Sequence, residues 1–170
     1  STTMRCMLSL IQADQGSIEL FGQSITKHRS EILARVGSLI EKPDFYKYLS
    51  AFKNLQLFSR ISGKPSSSQE IREMLDFVGL AGRENDRVGG FSHGMRQRLG
   101  IAQTLLHQPD LIVLDEPTTG LDPQGIIDMR NLILRLKNEQ KKTIILSSHN
   151  LSEVELICNR MVIIHQGKSI

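Results

Sequence analysis

The chain has 170 residues, 39% hydrophobic and 23% charged, with a net charge of +3 and a pI near 9.0. That length suits one domain with a sizeable core, and the composition is ordinary for a soluble globular protein. The mild positive charge leaves no footprint for nucleic acid, no apolar stretch nears the ~20 residues of a membrane helix, and the opening residues carry no basic start of a signal peptide.

Cys6 and Cys158 are far apart in the sequence and form no Cys-x-x-Cys motif, so a reduced, cytosolic setting is expected. Residues 3–11 read as a short helix, and the alternating, glycine-bounded segment 16–22 as a strand. Residues 29–35 form another short helix, and Val-Gly-Ser-Leu-Ile at 36–40 a buried strand. From Ala51 to Leu106 the pattern turns helical. Phe52, Leu55, Phe58 and Ile61 make one apolar face. A Gly-, Pro- and Ser-rich loop spans 62–68. Ile71, Met74, Leu75 and Val78 make a second face, closed by Gly79, and a third helix runs from Met95 to Leu106.

Regular alternation follows. Leu-Ile-Val-Leu-Asp at 111–115 is a continuous apolar run that predicts a strand buried on both faces. Asp122-Pro123 starts a helix, as an N-cap followed by Pro at the first helical position, and Ile126, Met129, Ile133 and Leu136 supply its apolar face. Residues 143–147 are a strand, Asn150 with Glu153 resembles a capping box, and residues 161–165 are a further strand turned by Gln166-Gly167. Strands alternating with helices predict a parallel α/β sheet, with core segments 1–49 and 108–170 interrupted by a helical subdomain at about 50–107.

In open α/β sheets, ligands sit at the carboxyl ends of strands. Asp115 and Glu116 lie at such an end, and His149 lies just past another. Asp115 can hold Mg²⁺ through its water shell, Glu116 can orient or deprotonate an attacking water, and His149 can bond a γ-phosphate or that water. On these residues alone, a carboxylate pair that merely caps a strand and a histidine that merely sits in a loop remain open.

The segment Phe91 to Pro123 resembles the signature-to-D-loop region of ABC-type ATPases. Phe91, Ser92, His93, Gly94 and Met95 stand at the signature positions, with Gln97-Arg98 in register. Asp115 matches the Walker B aspartate, Glu116 the catalytic glutamate, Leu121-Asp122 the D-loop, and His149 the switch histidine. His93 replaces a glycine of that pattern and Met95 a glutamine. Glu41 stands where the family's Q-loop has glutamine. This exchange, with the Gly-Met signature, resembles ATPases of the bacitracin-resistance and lantibiotic-immunity type.

The resemblance implies a P-loop NTPase core with an inserted helical subdomain, ATP and Mg²⁺ as cofactors, and a role as ATP-binding subunit of a transporter. It implies catalysis by Glu116 and His149. Nucleotide contacts fall to Ser1, Thr2, Glu41, Ser92, Gly94, Met95 and Asp122, and metal contacts to Ser1, Asp115 and Glu41. The unpaired N–H groups after Ser92, with the helix dipole, would receive a phosphate. The expected partners are a second such domain, paired head to tail, and membrane permease subunits on the inner face of the plasma membrane, with export of a peptide antibiotic as the transport suggested by the resemblance; no nucleic acid is expected.

The opening Ser-Thr-Thr aligns with the end of a P-loop. Its glycines and lysine do not occur in the sequence, so residues 1–170 alone are expected to be inactive. Without the P-loop strand, the strands at 111–115 and 143–147 are both expected to lack a neighbour. Two other readings stand beside this one. Glu41 and Ser92 lie too close for the coiled coils or zinc modules of chromosome-associated relatives. A non-hydrolytic or non-transport module that lends Ser92 and Asp122 to a complete partner remains the alternative.

Overall fold

A computed structural model describes residues 1–170. The chain begins with α1 (Thr2–Met7) and continues through a small antiparallel hairpin, β1 (Glu19–Leu20) and β2 (Gln23–Ser24), to α2 (Arg29–Leu33) and β3 (Val36–Leu39). Three helices follow, α3 (Ala51–Ile61), α4 (Ser68–Phe77) and α5 (His93–Leu105). Then come β4 (Leu111–Asp115), α6 (Pro123–Asn138), β5 (Thr143–Ser147), α7 (Leu151–Ile157) and a terminal hairpin, β6 (Ile164–His165) with β7 (Lys168–Ser169).

The apolar run at 111–114 is the centre of the sheet. Strands β3, β4 and β5 are parallel in that order, with Val36 opposite Leu111 and Asp115 opposite Ser147. Successive side chains of a strand point to opposite faces. Ile112 and Leu114 therefore enter one core, with Leu39 and helices α3 to α6, while Leu111 and Val113 enter another, with Val36, Met4, Leu8, Ile25 and Ile32. Both faces of β4 are covered, which is why it carries no alternation. Leu55, Ile71, Leu75, Leu99, Met129 and Ile133 are all fully buried in the first core. No helix is long and apolar enough to cross a membrane.

Caps mark several boundaries. Ser67 accepts from the Glu70 N–H, and the Glu70 carboxylate accepts from the Ser67 N–H, a full capping box at the start of α4. At its other end, Gly79 takes φ +72. The Leu80 N–H reaches the Leu75 carbonyl and the Gly79 N–H the Asp76 carbonyl, a Schellman closure. Ser67→Ala is expected to cost about 1 kcal/mol, read as a lower denaturant midpoint; an unchanged midpoint would show that the box contributes nothing. Asp122 caps α6 through the Gly125 N–H, with Pro123 at the first helical position.

Several elements depart from expectation. The helix placed at 3–11 ends at Met7, and the strand placed at 16–22 is a hairpin whose Phe21-Gly22 turn has both φ values positive. Of the expected apolar face of α3, Leu55 is buried and Phe52 and Phe58 pack on the core, but Ile61 is 68% exposed, and Ala51, Asn54 and Ser59 are buried as well. Buried Asn54 accepts from the Tyr46 N–H and donates to the Tyr46 and Ser50 carbonyls, tying the preceding loop to the helix. Asn150 makes no side-chain cap, and Glu153 pairs with Arg130 instead.

Residues 161–163 form no strand and do not join the parallel sheet; only Ile164–His165 pair, with Lys168–Ser169. Met161, Val162, Ile163 and Ile164 remain exposed. The strand at 111–115, expected to lack a neighbour, is paired on both sides; β3 and β5 are the edges of the sheet, and Ile144 to Ser147 of β5 are half-buried.

Candidate functional site

The carboxyl ends of β4 and β5 bring the site together. Asp115 closes β4 with its side chain only 8% exposed. The Ser147 hydroxyl, opposite it on β5, donates to Asp115 Oδ1 at 2.5 Å. The Ser1 nitrogen lies 3.7 Å from the same oxygen. Burial pushes the Asp115 carboxyl up, while hydrogen bonds from the Ser147 and Ser1 hydroxyls pull it down, and its pKa lies below the usual value. Asp115 is thus held as a carboxylate although it is largely removed from water.

Glu116 turns the chain out of the strand at φ +51, a conformation that a non-glycine residue adopts at a cost of roughly 1–3 kcal/mol. Three contacts hold it. Its N–H donates to Ser147 Oγ at 3.0 Å, Thr119 Oγ1 donates to its Oε2 at 2.9 Å, and His149 Nδ1 lies 2.8 Å from the same Oε2. The His149 ring is 76% exposed and the Glu116 side chain 33%, so this pair faces solvent while Asp115 does not.

Glu41 follows the end of β3, also at positive φ (+74), and its carboxylate accepts from Arg5 Nη2 of α1 at 2.7 Å. Thr2 is an exposed residue of α1. The remaining expected residues form a second group. Ser92 caps α5, and its Oγ accepts from the Met95 N–H at 3.2 Å. Met95 also packs its half-buried side chain on the main core. His93 Nε2 sits 3.1 Å from the Thr119 carbonyl. A Cβ placed on Gly94 would meet only Leu121, at 3.6 Å. No hydrogen bond ties Ser92 or Asp122 to the carboxylate cluster; the segment 116–122 links the two groups through Thr119.

Sequence reasoning missed Ser147, Thr119 and Arg5. For Ser147 a signal existed: aligning the ends of the two strands puts the last residue of one opposite the aspartate of the other. Thr119 and Arg5 gave no comparable signal.

The sheet, with acidic groups and an imidazole gathered where its parallel strands end, defines a ligand-binding α/β protein of the open-sheet class. Residues 1–119 match the ABC transporter family model. The chain belongs to the ABC transporter family. It is 49% identical over 168 residues, 99% of its length, to the bacitracin transport ATP-binding protein BcrA of Bacillus licheniformis. It is 45% identical over its whole length to an uncharacterised ABC transporter ATP-binding protein, YhcH, of Bacillus subtilis strain 168. It spans 55% of the length of each of these relatives. In fold it resembles cbiO1 from Clostridium perfringens, part of the ABC transporter complex cbiONQ, at a TM-score of 0.86 and 24% identity, covering 99% of this chain and 70% of that one.

Proposed function

We propose that this chain is part of the ATP-binding subunit of an ABC transporter, and that it hydrolyses ATP with Glu116 as the base. The observation that carries the reading is the Glu116 carboxylate, held between His149 and Thr119 beside the buried Asp115. A water approaching Glu116 from solvent would find a carboxylate already oriented by two donors, which suits a general base. His149, at the rim, is placed to bond the phosphate that the water attacks.

Mg²⁺ fits the donors present. It prefers hard oxygen ligands and keeps several waters, and no group of three or more His, Cys, Asp or Glu side chains gathers here to hold it fully. Asp115 and Ser1 would hold it, with Glu41 farther out on its Arg5 partner. When bound, the ion supplies neutralisation of charge on the transferring phosphoryl group.

Ser92 and the start of α5 would receive the phosphates of a nucleotide held by a second copy or a homologous domain, with Asp122 at the same junction. Gly94 supports this. Nothing in its own chain demands a glycine, since an added Cβ would find ordinary room, so what the glycine accommodates comes from outside. Thr2 would lie at the phosphates with Ser1. Met95 would take part through its backbone, since its side chain is turned to the core. The helical segment would dock on membrane permease subunits at the inner face of the plasma membrane. The bacitracin transport relative makes a peptide antibiotic the favoured cargo.

The test is phosphate release by two polypeptides. Residues 1–170 contain no Gly-x-x-x-x-Gly-Lys run and are expected to turn over little or no ATP, because phosphate binding relies on that backbone and lysine. The same chain preceded by such a segment running into Ser1 is expected to show Mg²⁺-dependent turnover. Robust hydrolysis by the first polypeptide, or none by the second, would sink the proposal.

A further inference from the structure

We propose that Ser147 is a positioning residue of the hydrolytic site: one hydroxyl holds the Asp115 carboxylate and the Glu116 backbone in a single register. The inference rests on the reading of Glu116 as the base and assigns a role to a residue outside those expected to act in catalysis or to hold nucleotide or metal.

The geometry is specific. A serine hydroxyl has one proton to donate and lone pairs to accept with. Here the proton goes to Asp115 Oδ1 at 2.5 Å, and the oxygen accepts the Glu116 N–H at 3.0 Å. Both partners are adjacent residues of the chain, so the hydroxyl fixes the peptide that joins them from both sides. Parallel pairing of β4 and β5 places Ser147 directly opposite Asp115, and the register leaves that pair at the strand ends. Every earlier pair in the same ladder is apolar except the first, Leu111 with Thr143. A polar side chain at the last position is therefore a departure from the strand's own pattern, and it lies where the chain needs it.

What needs it is Glu116. At φ +51 this residue holds a backbone conformation that tends to relax unless neighbours fix it. Ser147 fixes its N–H, and His149, two residues farther along the same segment, lies against its carboxylate. The end of β5 thus grips Glu116 at two points, backbone and side chain, and any shift of β5 moves both carboxylates together. Removing the hydroxyl leaves the Glu116 N–H without this acceptor and Asp115 without this donor, while the helix N-termini and α1 stay untouched.

The test uses the full-length protein, with steady-state ATPase and affinity for a fluorescent ATP analogue. Ser147→Ala is expected to lower kcat about 10- to 100-fold, the scale of small misplacements at a reacting centre. KM and analogue affinity should change by less than about threefold, because a group acting only in the transition state appears in kcat. Ser147→Thr, which keeps the hydroxyl, is expected to restore most of the rate. Ser147→Val, nearly the same shape without it, is expected to match alanine, and this pair decides the matter should the alanine variant fail to fold. A kcat equal to wild type in Ser147→Ala, equal rates for Thr and Val, or a loss confined to KM overturns the proposal while leaving Glu116 as the base. A wild-type rate that Glu116→Gln does not reduce removes that reading and the proposal with it.

Discussion

Glu116→Gln is expected to reduce phosphate release on the order of 10²–10⁴-fold while leaving ATP binding intact. The exchange keeps the shape of the side chain and an oxygen for the Thr119 and His149 donors that now meet at Oε2. The backbone at this position is held by Ser147 rather than by the side chain, so the turn at φ +51 should survive. What is lost is the capacity to accept a proton from water. The measurement is single-turnover phosphate release by the version of the chain that carries the phosphate-binding segment, with a thermal melt to show that the fold is unchanged. Turnover equal to wild type would mean that another group is the base.

Gly37→Ala is expected to be the most damaging single methyl group in the sheet. A Cβ at this position would lie 2.5 Å from the Thr104 carbonyl oxygen and 2.9 Å from Pro109 Cγ. The first of these is backbone in α5 and cannot swing aside as a long side chain would. Gly37 pairs with Ile112 in the ladder, so β3 cannot retreat without breaking its register with β4. Overpacking of a core typically costs 1–3 kcal/mol, and a contact this close on both sides puts the expected loss at about 3 kcal/mol, a large share of a usual stability of about 5–15 kcal/mol. Urea unfolding checks it. A midpoint within error of wild type would show that α5 shifts freely over the strand.

Much of this was legible in the residues because local chemistry decided it. The Asp122-Pro123 start of α6, the Gly79 stop of α4 and the two-sided burial of the 111–114 run each follow from rules that operate within a few residues. The family was legible too, because its motifs keep order and spacing over most of the chain. What failed depended on partners far away in sequence. Glu153 had the right spacing to cap with Asn150, yet Arg130 on α6 takes its carboxylate. The apolar run at 161–165 had the composition of a core strand, but composition does not say which edge a strand will find, and its end pairs only with the chain's own last residues, outside the parallel sheet. Ser147 could be seen only by aligning the ends of two strands. Its meaning lies in the register of two strands whose sequences are separated by a whole helix. The His93 contact with the Thr119 carbonyl was hidden likewise, although the histidine itself stood out as a departure from the motif.

The core on the helical side of the sheet runs without interruption from Leu55, Ile71 and Leu75 in α3 and α4, through Leu99 and Ile101 in α5, to Ile112 and Leu114 in β4 and Met129 and Ile133 in α6. A segment that the chain inserts between two strands is therefore, in the folded molecule, glued to them by the same apolar filling. Close-packed interiors resist deformation and pass strain on. Force applied to the outer surface of α3 would reach β4 through side chains already in contact, with no slack to take up. The helices and the strand that carries Asp115 thus behave as a stiff lever, and a push felt at one end is an alteration of geometry at the other.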